Sequence, residues 1–300
     1  RGLGDVYKRQ GACFALIGAF LSSTPPFQNA MAMDANRCGI PVVYGFCRGV
    51  GSVSYAAAVL LLGFVLERHA PTLLLPVFAA LTACGLIAMA GFRLPERPDE
   101  AADRPAEHRS IAAVLRSHPR FALTLLGCMF FFLTHTISNT YMNALVGKAG
   151  GTASAVGTSL AISAVLELPA MTLVSRLQKR FSPGFFLRFA AGAEVVKFLI
   201  FYLAHSMPLI YLGQCMQFFQ FAVYAPATVY YVAAALPERD QLKGQSLIYV
   251  AGSGLGGALG NLLGGRLLDR SGIQAALLLG TVSAAASLLT FCLSTRKDSR

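Results

Sequence analysis

Nine largely apolar stretches, each about twenty residues or longer, run through this 300-residue chain, at about 12–36, 44–66, 71–93, 120–147, 153–176, 183–204, 207–235, 243–268 and 272–294. A helix needs about 20 apolar residues to cross the hydrocarbon core of a bilayer. A transmembrane barrel would instead show segments of about ten residues that alternate apolar and polar, and runs such as 55–66 and 73–90 do not alternate. Helices are the alternative, because a backbone in lipid must satisfy its own hydrogen bonds. Charged residues make up only 13% of the chain, against about 25% in soluble domains. Such a chain covers a lipid-facing surface, not a watery one. The expected fold class is therefore an all-α membrane protein with nine transmembrane helices, its surface partner the lipid bilayer.

The formal charge of +11 invites a nucleic-acid reading. That reading is rejected, because most basic residues sit between apolar spans or at their ends. Their distribution sets an orientation instead, since Lys and Arg accumulate on the cytoplasmic side. The polar loop 94–119, with Arg97, Arg104, Arg109 and Arg116, is placed inside. Alternation then puts Arg176, Lys179, Arg180, Arg188, Arg239, Lys243, Arg296, Lys297 and Arg300 on the same side. Only Arg68, Lys148, Arg266 and Arg270 fall opposite. The C-terminus is expected in the cytoplasm.

The start of the chain stands apart. Gly4-Asp5-Val6-Tyr7-Lys8-Arg9-Gln10 resembles a translated sequencing adaptor, and residues 1–10 are set aside from the fold as an artefact. Nine spans with an internal C-terminus also put Lys8 and Arg9 outside, against the charge rule. The expectation is that an odd number of helices is missing before residue 11. Three units follow: 11–93, the loop 94–119, and 120–300.

Enzymatic chemistry finds no support. Of five histidines only His135 lies deep in a span, and no metal or nucleophile pattern accompanies it. The seven cysteines show no ligand spacing and read as small packing residues. No cofactor is expected. Gly252, Gly256, Gly260 and Gly264 repeat every fourth residue without a Walker pattern, so they read as a stripe that lets two helices approach closely.

Charged side chains inside spans cost at least about 2.5–3.5 kcal/mol each on insertion scales, so the few that occur are informative: Asp34, Arg48, Glu167, Glu194 and Lys197. Glu167 sits mid-span, two residues before Pro169. A carboxyl at such a depth is a candidate for taking up and releasing a proton. Glu194 and Lys197 lie three apart and can pair on one helix face, or Lys197 can instead reach Glu167. Polar stripes accompany these charges. His135, Asn139 and Asn143 recur every fourth residue, and Gln214, Gln217 and Gln220 every third. In lipid such stripes must face protein or water.

Several stretches resemble the lactose permease-like proton symporters of the major facilitator superfamily. Tyr44-Gly45-Phe46-Cys47-Arg48-Gly49-Val50-Gly51-Ser52 is similar to the start of their fifth helix, and 29–34 to the end of their fourth. Leu166-Glu167-Leu168-Pro169-Ala170-Met171 resembles their eighth helix, Arg176-Leu177-Gln178-Lys179-Arg180-Phe181 the basic loop after it, and Gly264-Gly265-Arg266-Leu267-Leu268-Asp269-Arg270-Ser271-Gly272 the end of the eleventh. The resemblance covers 12–294. It implies a major facilitator fold lacking its first three helices, with helices four to six in 11–93 and seven to twelve in 120–300.

The resemblance also implies a function. Two bundles rock about a central site and carry a small polar solute, sugar- or nucleoside-like, coupled to protons, in a bacterial inner membrane and as a monomer. Substrate binding falls to Arg48, Tyr55, Glu167, Asn139, Gln217 and Gln220, and proton coupling to Glu167 and Asp34. Asp34 is the acid that would pair with Arg48, and Tyr55 the aromatic that would stack on a sugar ring. Where the symporters carry a His and a Glu, this chain has Gln217 and Gln220, which leaves a uniporter open. Efflux of amphipathic compounds is the alternative transport reading, favoured by the Phe of 130–132 and 218–221. A receptor or scaffold of the same fold is the non-transporting one.

Overall fold

A computed structural model describes residues 2–66, 71–91 and 110–296. Most of the loop 94–119 lies outside the described residues, as do Arg68, His69, His108, Lys297 and Arg300. All regular structure among the described residues is helical. The helices are α1 (Gly2–Arg37), α2 (Tyr44–Leu66), α3 (Leu74–Ala90), α4 (Ile111–Ser117), α5 (Pro119–Thr140), α6 (Met142–Lys148), α7 (Ala153–Leu177), α8 (Pro183–Leu203), α9 (Met207–Cys215), α10 (Phe221–Ala235), α11 (Glu238–Tyr249), α12 (Gly257–Ser271) and α13 (Ile273–Ser294).

Among the described residues, five continuous helical segments are long and apolar enough to cross a membrane: Pro119–Thr140, Ser154–Leu177, Met207–Ala235, Glu238–Ser271 and Ile273–Ser294. Three more helices have comparable length. α1 has 36 residues, α2 has 23, and α8 has 21 with Arg188, Glu194 and Lys197 within it. The apolar helix at Leu75–Ala90 is shorter. α1 begins at Gly2 and runs unbroken through the segment set aside above.

Three expected spans differ in detail from straight helices. The span 120–147 breaks at Tyr141, between α5 and α6. The span 207–235 is interrupted by a 3₁₀ turn at Met216–Phe218, followed by Gln220 at φ −97°, ψ −93°. Such breaks need protein around them to satisfy the freed backbone groups. The span 243–268 starts earlier, at Glu238, and widens into a π-type segment at Val250–Gly256. Its glycines, Gly252, Gly254 and Gly256, remove the side chains that would resist widening. Ends are set by familiar local chemistry. Ser182 caps α8 by accepting from Phe185 N, with Pro183 in the first turn. Gly272, at φ +76°, turns the chain from α12 into α13, a backbone conformation that favours glycine.

α5 is the hub of the C-terminal part, packing on α13, the π segment and α12, while α8 packs on α13 and α10. Phe131 and Tyr224 stack at 3.9 Å within a core that includes Phe121, Val232 and Phe291. The glycine stripe lies against α5. A Cβ on Gly252 would meet the Phe132 ring, on Gly260 the Leu133 carbonyl at 2.6 Å, and on Gly264 the Tyr141 ring at 2.6 Å, while Gly256 faces the Met129 backbone. The outer faces are apolar and exposed, as with Leu278, Val282, Leu289 and Leu293 on α13. That is the distribution a lipid-facing surface requires.

The N-terminal helices meet this bundle chiefly through α2, which lies along α7, and through α1 against α11. Gly45, Gly49 and Ser52 share one face of α2 by their spacing. A Cβ on Gly49 would sit 2.6 Å from the Leu168 Cα, and one on Gly45 would strike the Met171 carbonyl and the Ser175 hydroxyl. Small residues here let the two helices touch along several turns.

Candidate substrate cavity

The α2–α7 seam decides where open space remains. At one end, near Arg176 and Lys179, it is closed by polar contacts. The Gly45 amide donates to Ser175 Oγ at 3.0 Å, the Tyr230 hydroxyl lies 3.1 Å from the same oxygen, and Tyr44 Oη donates to Asn29 Oδ1 at 2.7 Å. Beyond this closure lies a cleft of about 610 Å³ lined by Asn36, Arg176, Lys179 and Tyr230. On its other side, between α2, α5, α7 and the start of α10, lies a cavity of about 400 Å³. The two spaces are separated by the packed turns around Gly45, Gly49, Leu168 and Ser175.

Arg48, Ser52 and Tyr55 reach the 400 Å³ cavity from α2, His135 and Asn139 from α5, Ser163 and Glu167 from α7, and Gln217 and Phe221 from the segment that opens α10. Five of the six residues expected to bind substrate therefore share one space: Arg48, Tyr55, Glu167, Asn139 and Gln217. Gln220 does not line it. Asp34, on α1, does not line it either. Asn143 falls beyond the break at Tyr141 and is exposed on α6.

Glu167 is the cavity's polar centre. Its Oε2 accepts a short hydrogen bond from Ser52 Oγ, and its Oε1 one from Gln217 Nε2 at 3.0 Å. The Gln217 amide oxygen in turn accepts from Lys197 Nζ at 2.8 Å. A buried ammonium is thus tied to a buried carboxylate through one amide, which satisfies both ends as low-dielectric surroundings demand. The expected direct pair of Glu194 with Lys197 does not form a salt bridge. Their side chains reach different glutamines, Lys197 to Gln217 and Glu194 to Gln220, whose Nε2 donates to Glu194 Oε1 at 3.0 Å.

The cavity's flank carries rings as well as polar groups. His135 stacks on Phe221 with centroids 4.3 Å apart and planes 8° from parallel. Asn139 Nδ2 lies 3.0 Å from His135 Nε2 and donates to the His135 carbonyl at 3.1 Å. The hydrogen bonds of Glu167 leave Arg48, Tyr55 and Asn139 on the cavity face, where Arg48 is an exposed donor and Asn139, its Nδ2 turned to His135, is left with its Oδ1 as an acceptor. Ser52 escaped the sequence reading. Its only signal is position, four residues after Arg48 and three before Tyr55, on the same face of α2.

This geometry suits reversible binding of a small solute with hydrogen-bonding groups, not bond-breaking chemistry. Among the described residues no cluster of His, Cys, Asp and Glu could hold a metal. The comparisons agree in kind. Over 286 residues the chain is 28% identical to a protein named maltose permease from Geobacillus stearothermophilus, covering 94% of this chain and 71% of the relative. Over 283 residues it is 23% identical to an uncharacterized transporter, YwbF, from Bacillus subtilis (strain 168), covering 94% and 69%. Neither name is an enzyme's. Residues 12–279 match the model of the MFS_1 like family, and with that extent of match the chain belongs to this family of membrane transporters.

Proposed function

We propose that the protein is a secondary active transporter of a small polar solute, sugar- or nucleoside-like, driven by protons through alternating access. The observation that carries this reading is the 400 Å³ cavity in which Arg48, Tyr55, Asn139, Glu167 and Gln217 converge from four separate segments. Hydrogen-bonding groups of both signs at membrane depth are expensive unless they surround a shared watery site. Arg48 offers donors to hydroxyl oxygens, Asn139 Oδ1 and Glu167 offer acceptors, and the Tyr55 ring offers a face for the C–H surface of a sugar. The name of the first relative, maltose permease, supports a sugar as the first solute to try.

The closed α2–α7 seam supports alternating access. One face of the seam borders the cavity and the other borders the cleft with Arg176 and Lys179. In the orientation read from charge, that cleft faces the cytoplasm, with the C-terminus on the same side. Nine membrane-crossing helices, three before residue 94 and six after residue 119, complete the reading.

The test is uptake into sealed proteoliposomes carrying an internal pH dye, with labelled maltose and a labelled nucleoside as probes. Saturable uptake of one probe, with acidification of the lumen, is the expected result. Uptake that ignores an imposed proton gradient would remove proton coupling. Saturable movement of apolar dyes alone, with neither polar probe carried, would replace the polar-solute reading with efflux.

A further inference from the structure

Glu194 on α8 is completely buried, at 0% exposure. Only one donor reaches it, Gln220 Nε2 on Oε1. Its other oxygen, Oε2, has no hydrogen-bond partner, and neither has Gln220 Oε1; the Tyr224 hydroxyl has only the Cys128 thiol beside it. Gln220 and Tyr224 lie four residues apart at the start of α10, so they present to the same side. The Tyr224 hydroxyl lies within electrostatic reach of Glu194. Glu194 Oε2 and Gln220 Oε1 are thus two buried acceptors without a donor. Turning the Gln220 amide over would set its oxygen against Glu194 Oε1 and leave the same shortage.

Charge placement bears on the same group. Two acids, Glu167 and Glu194, and two cations, Arg48 and Lys197, lie in this part of the bundle, with Arg48 at the cavity that Glu167 borders. Lys197 is committed to Gln217 and through it to Glu167. Glu167 holds two donors, while Glu194 holds one. Around Glu194 the titratable groups are Lys197 from its own helix, Tyr224 from α10, and Cys128 and His135 from α5, with Glu167 on α7 facing Lys197. α9, the 3₁₀ turn and α13 bring no charged side chain. Their titratable groups, Tyr211, Cys215 and Cys292, are partly or fully exposed. Lys197 lies within electrostatic reach of Glu194, but its ammonium hydrogen-bonds Gln217 and not Glu194, so an ionised Glu194 would be a buried charge without a contact ion pair, which is unfavourable. One proton on Oε2 removes that charge and gives the carboxyl a neutral O–H in place of an unpartnered anionic oxygen.

We propose that Glu194, and not Glu167, holds the coupled proton, with Gln220 and Tyr224 as the groups that orient it. This rests on the proton-coupled transport reading above. The step is a proton transfer alone: Oε2 takes a proton from water on one side of the membrane and returns it to water on the other. The closed packing around Glu194 keeps that proton from leaking while the solute cavity, which Glu194 does not line, is occupied or empty.

The first readout needs no transport. Infrared spectra of the purified protein in light and heavy water are expected to show a deuterium-sensitive carboxylic-acid band. That band is lost in Glu194→Gln, kept in Glu167→Gln and shifted in Tyr224→Phe. Glu194→Gln mimics the protonated acid in size and hydrogen bonding; Glu194→Asp and Tyr224→Phe carry the same test should it fail to fold. The second readout uses proteoliposomes. Glu194→Gln keeps solute exchange but loses solute-driven proton movement at least tenfold. A band that persists in Glu194→Gln, or solute-driven proton movement equal to wild type in that variant, overturns the assignment. If the wild-type protein carries solute without moving protons, the coupled-transport reading falls and this role falls with it. If wild type couples and Glu194→Gln does too, only this assignment falls.

Discussion

The bundle holds two buried glutamates, each tied to a glutamine from the same short segment, and they are treated in opposite ways. Glu167 borders a cavity, is 9% exposed and accepts from two donors on different helices. Glu194 is sealed and accepts from one. What separates them is donor count and access, the two features by which one side-chain type is given different tasks in one site. The division originates in the backbone. Gln217 lies in the 3₁₀ turn and Gln220 at the irregular residue that follows. The break lets glutamines three residues apart serve Glu167 and Glu194 separately, where a straight helix would keep them on one face.

The comparison is most exposed to Glu167→Gln. A neutral amide in place of the carboxylate replaces one accepting oxygen by a donor and leaves the other uncharged, which breaks one and weakens the other of two hydrogen bonds to a charged acceptor, each contributing about 1.5–3 kcal/mol. Solute uptake is expected to fall by roughly a hundredfold, while the acid band assigned to Glu194 stays. Initial uptake rates within threefold of wild type would remove Glu167 from the binding site. Gln217→Ala comes next. It leaves the Lys197 ammonium, 1% exposed, without its hydrogen-bond partner, at a cost of about 3 kcal/mol. Thermal unfolding in detergent should show a clear loss of stability. An unchanged unfolding temperature would mean that Lys197 and Glu167 do not depend on the amide between them.

Much of this is legible in the amino-acid sequence. Glu167 stood out because carboxylates at mid-span are rare and costly, and the spans around it because their apolar runs fit the bilayer's thickness. Five of six nominated residues face one cavity because residue types that avoid lipid have little choice of place. The breaks at Tyr141 and at Met216–Phe218 were not readable. They depend on neighbouring helices that satisfy the freed backbone groups, which no local pattern announces. The separation of Gln220 from the cavity follows from that, since a periodic stripe assumes a straight helix. Ser52 was invisible for another reason. A serine in a helix commonly bonds its own backbone, as Ser54 does to Val50, and only the position of Glu167 across the seam gives Ser52 another partner.

A smaller effect tests whether the seam protects the Glu167 side. Gly49→Ala places a methyl group 2.6 Å from the Leu168 Cα, a backbone neighbour that cannot swing away. Overpacking of this kind costs about 1–3 kcal/mol, and the relief available is to part α2 from α7. Alkylation of a Ser52→Cys variant by a small maleimide should accelerate about tenfold when Gly49→Ala is added. An unchanged rate would show that the seam yields elsewhere.

The smallest substitution sharpens the comparison furthest. Ser52→Ala removes one donor from Glu167 and leaves only Gln217 Nε2, so that Glu167 matches Glu194 in donor count while keeping its place beside the cavity. The lost hydrogen bond predicts roughly tenfold weaker uptake, at the low end of the range for charged acceptors. The infrared spectrum then decides what sets the two carboxyls apart. If donor count governs, a second deuterium-sensitive acid band appears in Ser52→Ala and disappears in the Ser52→Ala, Glu167→Gln double variant. If no second band appears, the cavity and the Lys197–Gln217 link are enough to keep Glu167 ionised with a single donor. Complete burial, which Glu194 has and Glu167 lacks, would then be the feature that selects the proton's site.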